Sequence, residues 1–218
     1  MKKTILTINF FVLLCVLLCA SQSIASYVGS SPNLPPLDGQ YVSVDQWHSY
    51  YGMGIYIANA VHYGFSASFA PPPVGQTDTH LFDSLVDLEV SVDAGATFTP
   101  FTVSAPVTVR IQGVSYIENT GTYSTEILSM NISGSPLPAG VMLRESPTLS
   151  SSGQTIIEDL GGGQYQIESF FDVYTELSID GGVTWLPDLY APVRMELIPE
   201  PATISLLTIG IFGLIRRK

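Results

Sequence analysis

The feature that most limits what this chain can fold into is a repeated pair of strands. Val86-Asp87-Leu88-Glu89-Val90-Ser91-Val92-Asp93-Ala94-Gly95-Ala96-Thr97-Phe98-Thr99-Pro100 is answered by Val173-Tyr174-Thr175-Glu176-Leu177-Ser178-Ile179-Asp180-Gly181-Gly182-Val183-Thr184-Trp185-Leu186-Pro187. After a one-residue gap the match resumes, Ala105-Pro106-Val107 against Ala191-Pro192-Val193. Each copy reads as two alternating strands around an Asp-Gly-type turn, a strong short-range hairpin signal. A chain carrying two such hairpins, over 86–111 and 173–197, is committed to antiparallel sheet.

Both turns fit the pattern Ser-x-Asp-x-Gly-x-Thr-aromatic: Ser91, Asp93, Gly95, Thr97, Phe98, and Ser178, Asp180, Gly182, Thr184, Trp185. The pattern resembles the Asp-box of sialidases and other secreted β proteins. That resemblance implies a structural turn, in which Asp accepts hydrogen bonds from turn amides, Gly permits positive φ and the aromatic ring packs beneath. A sialidase itself is excluded by size, because about 170 residues between the two ends cannot supply six four-stranded blades.

The rest of the body agrees with β structure. Hydrophobic residues make up 46% and charged residues 12% of the 218, with 19 Gly and 15 Pro, a mixture that suits a turn-rich β fold better than a helical bundle. Residues 26–37 read as an extended linker. Ser43 with Gln46 has capping-box spacing and predicts one short helix near 43–51. Gly54 to Phe69 is aromatic and β-branched and reads as strand, until Pro71-Pro72-Pro73 breaks the pairing. Val107–Ile111, Thr122–Ile132, Thr155–Ile157 and Gln164–Phe171 complete the strands. Such short, frequent strands predict an all-β fold, an antiparallel β-sandwich of jelly-roll or Ig-like type over 38–198, with a wide barrel as the alternative.

Charge is placed unevenly. Lys2 and Lys3 open the chain, Arg216, Arg217 and Lys218 close it, and the stretch between keeps only Arg110, Arg144 and Arg194. Three arginines against 18 of the 19 carboxylates leave that body at about −15. Such a field repels nucleic acid and excludes it as a partner. Cys15 and Cys19 both fall in the N-terminal apolar run, so disulfides and thiol catalysis are excluded once that run is removed.

The two ends read as addresses. Met1-Lys2-Lys3, an apolar run from Ile5 to Leu18 and Ser23-Ile24-Ala25 are the parts of a signal peptide over 1–25, expected as a signal helix cleaved after Ala25. At the other end, Pro199-Glu200-Pro201 precedes an apolar stretch over 202–215 and then Arg216-Arg217-Lys218. As a hydrophobic helix that stretch is about 21 Å long, short for a comfortable transmembrane segment. The basic cluster would stay on the cytoplasmic side.

The order Pro-Glu-Pro, apolar segment, basic terminus resembles the PEP-CTERM sorting signal of bacterial exopolysaccharide-associated export, here over 199–218. The resemblance implies recognition by an exosortase together with the secretion machinery, cleavage near Pro199 to Pro201, transient membrane contact through the tail, and delivery to the cell surface or extracellular matrix. The segment from Val141 to Leu149, with Phe170-Phe171-Asp172-Val173, is similar to bacterial secreted proteins with the same tail. It adds export and no chemistry.

Enzymatic signatures are weak. His48, His62 and His80 lack metal-ligand spacing, and no cofactor or metal is expected. There is no Gly-x-Ser-x-Gly elbow, Walker loop or dinucleotide fingerprint, and no sequence mark selects a carboxylate pair for glycoside hydrolysis. Arg144 beside Glu145 reads as a turn or surface pair. The expectation is a non-enzymatic exported protein with a structural or interaction role. A carbohydrate-binding module, using rings among Trp47, Tyr50, Tyr51, Tyr63, Tyr116 and Tyr123, is the alternative, and a secreted hydrolase comes third.

Overall fold

The computed structural model describes residues 26–44 and 47–199. The expected signal helix and the hydrophobic helix lie outside these residues, as does the sorting segment beyond Pro199. Thirteen strands make up the described body: β1 (Tyr27–Gly29), β2 (Gly39–Ser43), β3 (Trp47–Tyr50), β4 (Tyr56–Tyr63), β5 (Thr77–Ser91), β6 (Thr99–Ile117), β7 (Thr120–Ser133), β8 (Met142–Glu145), β9 (Ser151–Gly161), β10 (Gln164–Val173), β11 (Thr175–Ser178), β12 (Leu186–Pro187) and β13 (Val193–Pro199).

Alternation dictates the wall. Along β6, Val103, Ala105, Val107, Val109 and Ile111 are buried, while Ser104, Pro106, Arg110 and Gln112 between them face out. β5 does the same with Phe82, Ser84, Val86 and Leu88 inside and Leu81, Asp83, Leu85 and Asp87 outside. A period of two with one apolar face is what a sheet with a single buried side requires. The outer face of β6 is polar, unlike the apolar band of a lipid-facing barrel.

The all-β expectation holds, but the sheet does not divide into a sandwich. It closes on itself as an eight-stranded antiparallel barrel, β2-β4-β5-β6-β7-β9-β10-β13, with the other five strands attached to it. Two pairings close the ring. β9 bonds both β10 and β7, and β13 lies between β10 and β2. Closure leaves no free edge within the ring, which a two-sheet sandwich cannot achieve.

Two local expectations are corrected. The short helix near 43–51 is replaced by strand: β2 runs to Ser43, and β3 pairs with β4 through Trp47↔Ala58 and Tyr50↔Tyr56. Cross-strand pairing outweighed a capping-box spacing that rested on Ser43 and Gln46, of which Gln46 lies outside the described residues. The linker over 26–37 is part of the body. Tyr27 and Leu34 are buried, β1 pairs with β10, and Leu34 exchanges backbone hydrogen bonds with Phe69 at one end of the barrel.

The sequence repeat is larger in space than in sequence. Around the first hairpin β3, the start of β4, the end of β5 and the start of β6 lie side by side. Around the second, the end of β7, β8, β11 and β12 do the same. Registers match one for one. Tyr56↔Ser91, Ile57↔Val90 and Ala58↔Glu89 correspond to Met142↔Ser178, Leu143↔Leu177 and Arg144↔Glu176. Val90↔Thr99 and Glu89↔Pro100 correspond to Leu177↔Leu186 and Glu176↔Pro187. The copies part company afterwards. β6 runs straight on into the barrel wall, whereas β12 stops at Pro187 and the chain loops through 188–192 before re-entering as β13.

Candidate functional site

The sequence points first to the two Asp-box-like turns, and their hydrogen bonds are the same. Ser91 donates to Asp93 at 2.8 Å and accepts from the Gly95 amide at 2.9 Å, and Asp93 accepts from the Thr97 amide and hydroxyl at 2.9 and 2.7 Å. Ser178 donates to Asp180 at 2.8 Å and accepts from the Gly182 amide at 2.9 Å, and Asp180 accepts from the Thr184 amide and hydroxyl at 2.9 and 2.5 Å. Gly95 and Gly182 take φ of 84° and 87°, where a side chain would be strained. Hydrogen bonds to Thr97 and Thr184, then to Ser91 and Ser178, hold the Asp93 and Asp180 carboxyls down at about 2. Phe98 and Trp185 are half-buried, and the Trp185 indole donates to the Gly182 carbonyl at 3.1 Å.

Each turn is docked in the same way. The Ala94 amide donates to the Gly54 carbonyl at 3.0 Å, and the Gly181 amide to the Gly140 carbonyl at 2.9 Å. The equivalent faces meet across an apolar cavity of about 190 Å³, lined in part by Ile57 with Leu143, Val90 with Leu177, and Val92 with Ile179. The carboxylates of both turns are occupied by the turns themselves, so their geometry is that of a structural brace.

Inside the barrel a second cavity of about 90 Å³ is mostly apolar, with His62, His80, Thr125 and Thr155 among its lining. His62 Nε2 lies 2.5 Å from Ser84 Oγ, and burial pushes its imidazole down to about 4. His80 stacks on Phe69 at 4.3 Å between ring centroids, and burial lowers its pKa. Neither histidine meets a carboxylate set suited to a metal, and no such group occurs among the described residues.

Of the aromatic residues singled out from sequence, Tyr51 and Tyr123 are core. Tyr51 shares a 2.5 Å hydrogen bond with Thr175, and burial, the largest cause, raises its pKa. Tyr63 donates to Asp87 at 3.1 Å, and Tyr116 is exposed near the far end of β6. Tyr50 is different. It stacks on Tyr56 at 4.6 Å and 24°, and Tyr190 lies 5.7 Å away at 38°. Tyr50 and Tyr56 are half-buried beside the buried Tyr51, Ile55 and Ile57, and Tyr190 stands on the loop over 188–192. Asp188 fixes them from below, its Oδ1 accepting from the amides of Tyr50 and Tyr190, both at 3.0 Å. Tyr190 comes from the loop where the second copy departs from the first, a departure visible in sequence only as a one-residue gap.

The reading of Arg144 and Glu145 as a turn or surface pair is corrected by the structure. Glu145, next to Arg144, is 7% exposed. Burial pushes its carboxyl up to about 7, with nearby Glu126 and Glu176 adding to the shift and Ser151 and Arg144 opposing it. Arg144 is not its partner. The guanidinium donates to Glu176 at 2.6 Å and lies 3.9 Å over the Trp185 ring. Glu145 lines neither of these two cavities.

Of the sorting residues only Pro199 is described, ending β13 opposite Gly39. Glu200, Pro201, Arg216, Arg217 and Lys218 lie outside the described residues. Comparison with known proteins returned no matching family, no matching curated protein and no matching solved structure.

Proposed function

We propose that the chain is an exported, non-enzymatic protein sorted through its Pro199-Glu200-Pro201 tail to the cell surface or exopolysaccharide matrix, where the barrel has an interaction role. One relationship supports this reading. β13 descends from Val193 to Pro199 beside β2, which places Pro199 at the end of the barrel opposite Ser91 and Ser178, where both Asp-box turns begin. A barrel held at a membrane by its tail would therefore turn the duplicated hairpins outward.

Mass spectrometry of the surface fraction tests the sorting claim. The native protein is expected to start at Ser26 and to have lost the residues up to Lys218. A variant with Pro199, Glu200 and Pro201 all replaced by Ala is expected to keep them and to remain in the membrane fraction. An intact tail in the surface-bound form of both proteins sinks the reading.

A carbohydrate-binding role is favoured by one observation, the partly exposed group of Tyr50, Tyr56 and Tyr190. Rings whose faces pack against apolar surface while their hydroxyls hydrogen-bond suit the mixed chemistry of a sugar.

A further inference from the structure

We propose that Tyr50, Tyr56 and Tyr190, held in place by Asp188, form a binding site for a neutral polysaccharide; the assignment rests on the carbohydrate-binding reading above.

Tyr50 and Tyr56 are only half-buried, and Tyr190 is 50% exposed on a loop. Yet they are ordered with respect to one another. Tyr50 and Tyr56 are a cross-strand pair, and Tyr56 is hydrogen-bonded to Tyr190. The loop is pinned to β3 at two points, the Leu189 amide donating to the Tyr50 carbonyl at 2.8 Å and the Tyr50 amide donating to Asp188 at 3.0 Å, and the Tyr190 amide donates to the same Asp188 oxygen within the loop. Three large side chains already held in one arrangement lose little entropy when a ligand lands on them. Pyranose rings offer what such a surface needs: C–H faces to lie on aromatic rings, and hydroxyls to pair with phenols.

Charge selects the class of sugar. The body carries about −15, and its three arginines are committed to carboxylates, Arg110 to Glu126, Arg144 to Glu176, and Arg194 to Asp172 and Glu196. A uronate or sulfated polymer would meet repulsion and no cation to offset it. The matching positions of the second copy, Ser133 and Met142, carry no aromatic ring, so the duplication yields one such site.

Affinity electrophoresis of the processed protein in gels containing dextran, hydroxyethylcellulose, galactomannan or alginate tests this. Retardation by at least one neutral polymer, unchanged at high salt, is expected. Tyr190→Ala and Tyr56→Ala should each weaken it about tenfold or more, Tyr190→Phe should keep most of it, and Tyr116→Ala should leave it intact. Thermal melts should show all four variants folded. Equal retardation of the native protein and Tyr190→Ala overturns the site but leaves carbohydrate binding standing. No retardation by any polymer overturns both. Retardation by alginate alone, abolished by salt, overturns the neutral class.

Discussion

Thr184 donates to Asp180 with both its amide and its hydroxyl, at 2.9 and 2.5 Å, and Thr97 does the same to Asp93. The carboxylate is thus an integral part of each turn. Its pKa lies below the ordinary 3.8, at about 2. A depressed carboxyl contributes stability that is fully present above pH 3.8 and is lost as pH falls through about 2. Asp180→Asn and Asp93→Asn should each lower the thermal midpoint at neutral pH and flatten the acid limb of the stability curve. Their effects should add, because the turns share no hydrogen bond. Calorimetry between pH 2 and 7 checks this, and two variants indistinguishable from the native chain would contradict it.

Glu145 works in the opposite sense. Its folded pKa is raised from 4.5 to about 7, so the folded state holds its proton more tightly than the unfolded chain. The contribution is fully present below pH 4.5 and is lost as pH rises through about 7. Glu145→Gln should remove that slope and raise stability at pH 8 by roughly 2 kcal/mol. Urea denaturation at pH 5 and pH 8 measures the difference. An equal gap between native and variant at both values would show that the carboxyl is not held neutral.

Gly153 is where the barrel wall leaves no room for a side chain. A Cβ there would stand 2.0 Å from the Phe170 carbonyl oxygen and 2.8 Å from Thr125 Oγ1. Gly153→Ala should cost about 3 kcal/mol or more, by forcing β9 away from β10. Gly52→Ala offers the contrast, since that position is open and the penalty comes from its φ of 82° alone; about 1 kcal/mol is expected. Reversal of the order in chemical denaturation would refute the steric argument.

Ile132 is fully buried on β7, directly opposite Leu143 of β8. It sits where the wall passes from β9 to β8. Ile132→Ala should destabilise by about 3 kcal/mol through lost burial and a residual cavity. A loss below about 1 kcal/mol in urea denaturation would mean that the seam collapses around the gap.

What could be read from sequence was local. Ser91 to Phe98 and Ser178 to Trp185 carry their turn chemistry in neighbouring residues, and the alternation of β6 names its own inner face. Closure depends on partners far apart. Nothing in Ser151–Gly161 announces that it bonds both Gln164–Val173 and Thr120–Ile127, and a sandwich and a barrel share the same alternation. The binding candidate was half legible. Tyr50 stood out as an aromatic residue, whereas Tyr56 and Tyr190 acquire meaning only when Asp188 brings a distant loop to β3. Glu145 was hidden by its neighbour, because adjacent residues of a strand face opposite sides and Arg144 turns away to Glu176.

The place of β13 in the wall also orders events in time. It is an inner member of the ring, bonded to β10 on one side and β2 on the other, and it is the last strand of the body to be made. A chain threaded out of a cell amino end first cannot seal its barrel until residues 193–199 have emerged. Until then β2 and the Phe170–Val173 stretch of β10 each present an unpaired edge. On the sorting reading proposed above, a hold on the following tail at the membrane would set how long that gap stays open, and would couple the completion of the fold to the final act of export.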